Sequence, residues 1–253
     1  MFFNAVISKN IPKLCTNTLW RQYPIITRSA TTTSNTETVD LAYSSYEFTD
    51  DTSSLPPLVI LHGLLGSKNN WNSMSKAIHK TTGRKSDLVS SLIVVDISPV
   101  KTSPQIFSMA NLFDAMVAVS IRSGIAMSKA RKLADEQLKP VIPDVNLRNF
   151  LITNLVQTNN GSYAWRVNIP ALKENFQQSI ATFPASLKGL QYAGPTLFIG
   201  GSLSDYIGKS DLPEIQEYFP LADLIFIEGA GHWVHSQKPE QFLEIVCKFL
   251  REK

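Results

Sequence analysis

Imidazoles and carboxylates are the side chains whose placement in this sequence suggests chemistry. Of the four histidines, His232 and His235 lie in Gly229-Ala230-Gly231-His232-Trp233-Val234-His235. His62 opens His62-Gly63-Leu64-Leu65-Gly66, and His79 sits in a stretch with helical spacing. Histidine titrates near neutral pH, so an imidazole on a loop is suited to moving protons. Asp96 closes the apolar run Leu92-Ile93-Val94-Val95, and Asp205 follows Thr196-Leu197-Phe198-Ile199-Gly200-Gly201. Metal and disulfide chemistry are poorly served. The two cysteines, Cys15 and Cys247, are too few for a disulfide framework or a cysteine-built zinc site. No H-E-x-x-H pattern occurs, and no metal is expected.

The elements that must position these residues are short and apolar. Leu58–Leu61, Leu92–Val95, Thr196–Ile199 and Leu224–Ile227 are continuous hydrophobic runs, which suit strands buried on both faces of a parallel sheet. Asn69–Thr82 has helical spacing through Trp71, Met74, Ala77 and Ile78. A last helix starts near Pro239 with a stripe of Phe242, Ile245, Val246, Phe249 and Leu250. Thr38–Phe48 alternates well enough for an edge strand. Residues 103–184 are mainly helical by periodicity, with patterns at Ile106–Val117, Ala130–Leu138 and Arg148–Val156. Strands alternating with helices predict an α/β fold.

With 43% apolar and 18% charged residues among 253, the chain suits one globular domain and not a disordered or coiled-coil one. No apolar run approaches the roughly 18–20 residues that a membrane span needs. The net charge of +3 does not point to nucleic acid. Residues 1–36 hold Lys9, Lys13, Arg21 and Arg28 and no acid, and the remainder carries 20 basic against 21 acidic residues. This segment is also rich in Ser and Thr, and Phe2, Phe3, Val6, Ile7 and Leu14 can share one helical face. It fits a mitochondrial transit peptide with a linker, and less well a frayed tail. The expected folded domain is then 37–253, with a lid insert at about 103–190, in the mitochondrial matrix.

In order, H-G-L-L-G at 62–66, V-V-D-I-S-P at 94–99 and G-A-G-H-W-V-H at 229–235 resemble the α/β-hydrolase superfamily. More narrowly, they resemble its mitochondrial esterase and yeast ethanol acetyltransferase branch. Ala134-Asp135, Leu147-Arg148-Asn149-Phe150-Leu151, Asn154-Leu155 and Trp165-Arg166-Val167-Asn168 resemble that branch's lid. The resemblance covers residues 38 to 253. It implies that His232 is the general base, with packing beside Trp233 as the plain alternative. It also implies that the backbone N–H of Leu64 is half of an oxyanion hole. The orienting acid is Asp96 by this branch's pattern, with Asp205 the runner-up, because most members carry the acid after the strand that ends at Gly201. The usual position there falls on Ser204. His235 is expected to be supporting structure, His62 a turn residue and His79 a solvated or packing residue.

The family's nucleophile sits on a G-x-S-x-G elbow, and none of the twelve glycines here starts one. The nearest, Gly200-Gly201-Ser202-Leu203-Ser204, lacks the closing glycine. No nucleophile is assigned. Relative to the resembling branch, the chain jumps near Lys85-Ser86 from the end of the first helix into the lead of a later strand. Two central strands with their helices are expected to be missing. Either each vacancy leaves a gap of about 10 Å beside Leu58–Leu61, or the Leu92–Val95 strand slides in beside it.

The resemblance implies a serine hydrolase or acyltransferase of short-chain esters or thioesters, with an ester, thioester or alcohol as partner and acetyl-CoA as a possible substrate. No cofactor is expected. This shortened form is expected to be inactive. The alternatives are a non-catalytic binding protein and an unstable deletion product.

Overall fold

In the computed structural model, residues 4–8, 58–82, 91–177, 181–184 and 187–252 are described. The expected edge strand at Thr38–Phe48 and the junction at Lys85-Ser86 fall outside them.

In chain order the first elements are β1 (Asn4–Ser8), β2 (Leu58–Leu61), α1 (Asn72–Thr82) and β3 (Leu92–Val95). The lid follows: α2 (Met109–Ala118), α3 (Met127–Leu138), α4 (Val145–Ile152), the hairpin β4 (Leu155–Gln157) and β5 (Tyr163–Trp165), and α5 (Ile169–Asn175). The chain then returns to the sheet as β6 (Thr196–Gly201), α6 (Leu212–Tyr218), β7 (Ala222–Ile227), α7 (Val234–Gln237) and α8 (Pro239–Glu252). Among the described residues the main sheet has five strands, in the order β2-β1-β3-β6-β7. β3, β6 and β7 are parallel neighbours. β1 is antiparallel to both β2 and β3, so those two share a direction.

The middle of the sheet, β3 and β6, is buried on both faces, as continuous apolar runs require, whereas Leu61 of β2 and Ile225 of β7 are exposed. All six residues of β6 are buried. Ile93, Val95, Leu197 and Ile199 pack on one side with Trp71 and Ile78 from the first helical segment and Phe242, Val246 and Leu250 of α8. Val94 and Phe198 pack on the other with Ile207 and Ile215. Each such side chain contributes about 1.5–3 kcal/mol on burial. The lid has its own core of Phe113, Met116, Ala134, Leu138 and Leu151.

Polar groups set the lid's angles. The Arg148 Nε donates to Asp135 at 2.6 Å, and its Nη1 donates to the carbonyls of Ile142 and Pro143, each at 2.9 Å. Arg148 is only 5% exposed, so it binds α4 to α3 and to the loop between them from inside. Asp144 caps α4, accepting from Asn146 N at 2.8 Å. Trp165 Nε1 donates to Met116 O at 2.7 Å and ties the hairpin to α2.

The structure departs from sequence expectation in three places. The helical pattern expected through Val156 ends at Ile152, because Leu155–Gln157 pairs with Tyr163–Trp165 across a turn where Gly161 has φ +80. β3 does not slide in beside β2, since β1 lies between them and pairs with both. Asn4–Ser8 is extended, not part of a helical face. Val6 and Ile7 are β-branched and favour that backbone when a strand edge is offered.

Candidate active site

The site is assembled where β3, β6 and β7 end. Asp96 continues β3 by one residue: its N–H donates to Ile199 O at 2.8 Å. Its φ is then +48, a left-handed conformation uncommon outside glycine but tolerated by aspartate. That turn aims the carboxylate across the tip of β6. There Oδ1 accepts from Gly201 N at 2.9 Å, and Oδ2 accepts from Ser204 Oγ at 2.5 Å and from His232 Nδ1 at 2.8 Å. Asp96 is 1% exposed. A carboxylate only accepts, so Nδ1 carries the proton and the lone pair of the neutral ring lies on Nε2.

The His232 loop is pressed against the end of β6. A Cβ on Gly201 would lie 2.3 Å from Gly231 O and 2.5 Å from Ala230 O, so only glycine permits this approach. Leu203 N donates to Ala230 O at 2.8 Å, and Ser202 Oγ accepts from Gly229 N at 2.8 Å. Gly231 N donates to Gln237 Oε1 at 2.6 Å, which fixes the entry to α7. The Tyr206 ring stacks on the His232 imidazole at 4.1 Å and 26°. Burial pushes the Tyr206 phenol up to about 12, with the charges of Asp205 and Asp96 adding to it, so the ring is neutral at physiological pH. Trp233 touches Phe150 of α4 at 5.4 Å between ring centroids, joining loop to lid.

The H-G-L-L-G loop leaves the end of β2. Gly66 N closes its turn onto Gly63 O at 2.9 Å, and Leu65 has φ +59. The lid holds the loop: Asn154 Nδ2 donates to Leu65 O at 2.8 Å, and Leu64 packs against the lid core.

The structure therefore brings together two of the residues singled out in the sequence, Asp96 and His232, from positions 136 apart in the chain. It does not bring Asp205 to the imidazole as a partner of that kind; Asp205 accepts from Ser103 Oγ at 2.9 Å instead. His235 is stacked on Trp71 at 4.2 Å, and burial, with the His232 charge second, lowers its pKa to about 4. Its Nδ1 is buried without a hydrogen bond among the described residues. His62 is exposed, its Nδ1 3.0 Å from Gly63 O. The side chain of His79 lies outside the described residues. Sequence reasoning missed Ser204 and Tyr206 as partners of the pair. Ser204 did carry a signal, because it occupies the place where most of the family has its acid.

A carboxylate that fixes the tautomer of an imidazole is an arrangement that acyl-transfer sites use to handle protons. No protein-family model matches the chain. The sn-1-specific diacylglycerol lipase ABHD11 of Xenopus tropicalis is 33% identical, in an alignment that takes in 88% of this chain and 86% of that protein. The alignment runs over 281 positions, more than the chain's 253 residues, so the relative carries residues without a counterpart here. Ethanol acetyltransferase 1 of Cyberlindnera fabianii is 25% identical over 66% of this chain and 53% of its own length. Among solved structures, a marine microorganism esterase is 35% identical with a TM-score of 0.55 over 70% of this chain; the match spans 64% of that esterase. The chain belongs to the α/β-hydrolase superfamily, among its members of esterase and lipase type.

Proposed function

We propose that this chain is a shortened relative of mitochondrial serine hydrolases and acyltransferases that keeps the family's base and acid but does not turn esters over. In this reading His232 is the general base, Asp96 its orienting acid and the Leu64 N–H an oxyanion donor. The observation that carries it is an assembled Asp96–His232 pair in a sequence with no G-x-S-x-G. With a nucleophile present, His232 Nε2 would take its proton during attack on an ester or thioester carbonyl. The proton would then pass to the leaving alcohol or thiol. Water or an alcohol would complete the cycle, giving hydrolysis or transfer. Without a nucleophile, Nε2 can only polarise water, and loss of the nucleophile costs about 10⁶ in turnover in the subtilisin case. The ester class follows the relatives: short acyl esters or acetyl-CoA on one side, and glycerolipid esters, as in the name of the diacylglycerol lipase, on the other.

An internal excision near Lys85-Ser86 accounts for an alignment longer than the chain. In the genomic sequence around codons 85 and 86, an in-frame strand–elbow–helix segment is the expected finding. The basic, acid-free residues 1–36 support a mitochondrial address, which an import assay with a fused fluorescent protein tests.

The activity claim is tested directly. The purified chain should hydrolyse p-nitrophenyl acetate no faster than its His232→Ala variant, and a fluorophosphonate should not label it. Saturable labelling of a single serine would overturn the proposal.

A further inference from the structure

β2 has one strand neighbour among the described residues, and it is β1. The pairs are Ala5–Leu61, Val6–Ile60, Ile7–Val59 and Ser8–Leu58. On its other side β1 meets β3 through Asn4–Val95, Ala5–Val94, Val6–Ile93 and Ile7–Leu92. Ala5, Val6 and Ile7 are therefore paired on both sides, as in a central strand. β2 and β3 lie two strand spacings apart, nearly 10 Å at about 4.8 Å each, and cannot bond to one another.

We infer that the space between β2 and β3 is a strand-accepting site, and that its occupant, Asn4–Ser8 of this chain, is required for the sheet to hold together. Three observations and one physical cost support this. β1 is antiparallel in a sheet whose other strands share one direction, so it lies outside the parallel strand–helix order of the rest. Ile60 of β2 packs against the core that β3 and β6 build with α1 and α8, so the space between β2 and β3 borders that core. An empty space would leave inward backbone groups of two strands unpaired beside that core, and buried backbone groups without partners are strongly disfavoured. Finally, among the described residues β1 is what joins the strand that launches the H-G-L-L-G loop to the strand that ends at Asp96.

The consequence is that two uses of one segment exclude each other. Residues 4–8 lie within the basic, acid-free stretch that carries the proposed mitochondrial address. Once paired on both edges, those residues are not available to an import receptor. If they are trimmed, the sheet loses its second strand. The folded chain is thus the one that retains its N-terminal segment. Only this consequence depends on the targeting reading; the strand-accepting site does not.

Hydrogen–deuterium exchange on the full-length chain tests the site. The amides of Ala5, Val6 and Ile7 should exchange at least ~100-fold more slowly than in a synthetic peptide of residues 1–10, as expected for a paired internal strand. Exchange at the peptide's rate would overturn the inference. A second measurement uses a variant lacking residues 1–10. It should lose the cooperative thermal transition of the full chain, and the 1–10 peptide added in trans should restore it. A truncated chain that melts at the full-length temperature would overturn the inference equally. Neither readout involves esterase activity, so this result and the catalytic reading stand or fall separately.

Discussion

Three donors converge on the Asp96 carboxylate: a backbone N–H, a hydroxyl and an imidazole. Asp96→Ala leaves the Gly201 N–H and the His232 Nδ1–H without their acceptor next to the core, and should cost about 2–4 kcal/mol in urea unfolding. Asp205→Ala removes one bond from Ser103 at an exposed position and should cost about 1 kcal/mol or less. The contrast separates the two acids without any assay of activity. His235 adds a pH term. Its pKa is about 4 in the folded chain and 6.5 as a free group. Below 6.5 the unfolded state therefore binds the extra proton and the folded state does not, so stability falls as pH drops. The loss develops from about pH 6.5 to 4 and reaches up to ~3 kcal/mol, at 1.36 kcal/mol per pH unit. A His235→Phe variant should flatten that part of a stability–pH curve. At this scale the sequence was informative where the signal was local: glycines around His232 mark a loop, and Asp96 ends an apolar run. The choice between Asp96 and Asp205 rested on resemblance, because contact across 136 residues leaves no trace in spacing. The Ser204 hydroxyl and the Tyr206 stack depend on the course of the chain after Gly201.

The lid depends on one buried cation. Arg148 reaches Asp135 and two carbonyls from a site that is 5% exposed, whereas the Asp135 side chain keeps 33% of its surface in solvent. Removing the arginine therefore leaves a carboxylate that water can still reach, and the cost should fall below the 3–5 kcal/mol typical of a fully buried pair. Arg148→Ala should destabilise the chain by about 2 kcal/mol. Hydrogen exchange should quicken in α3 and α4 before it does in β3 and β6. Helices α3 and α8 were legible as elements because their apolar stripes are long and regular. The end of α4 was not. Leu155 and Val156 continue the helical spacing, and the hairpin that captures them is closed by Gly161 and by Arg166 N donating to Asn154 O at 2.8 Å.

In the whole molecule, the parallel sheet to which β3, β6 and β7 belong could be read from short apolar runs alternating with helices. The place of β1 could not. Its residues carry a pattern compatible with a helical face, and the extended form is selected only by two strand edges located far along the chain. Ser8 meets Leu58, and Asn4 meets Val95. During synthesis the segment is thus made well before either partner. At about 5–20 residues per second, roughly 5–20 s pass between the emergence of Asn4 and that of Val95. Through that interval Asn4–Ser8 lacks the second of its two strand edges. The N-terminal strand therefore waits for about a hundred residues of chain before the sheet can close around it.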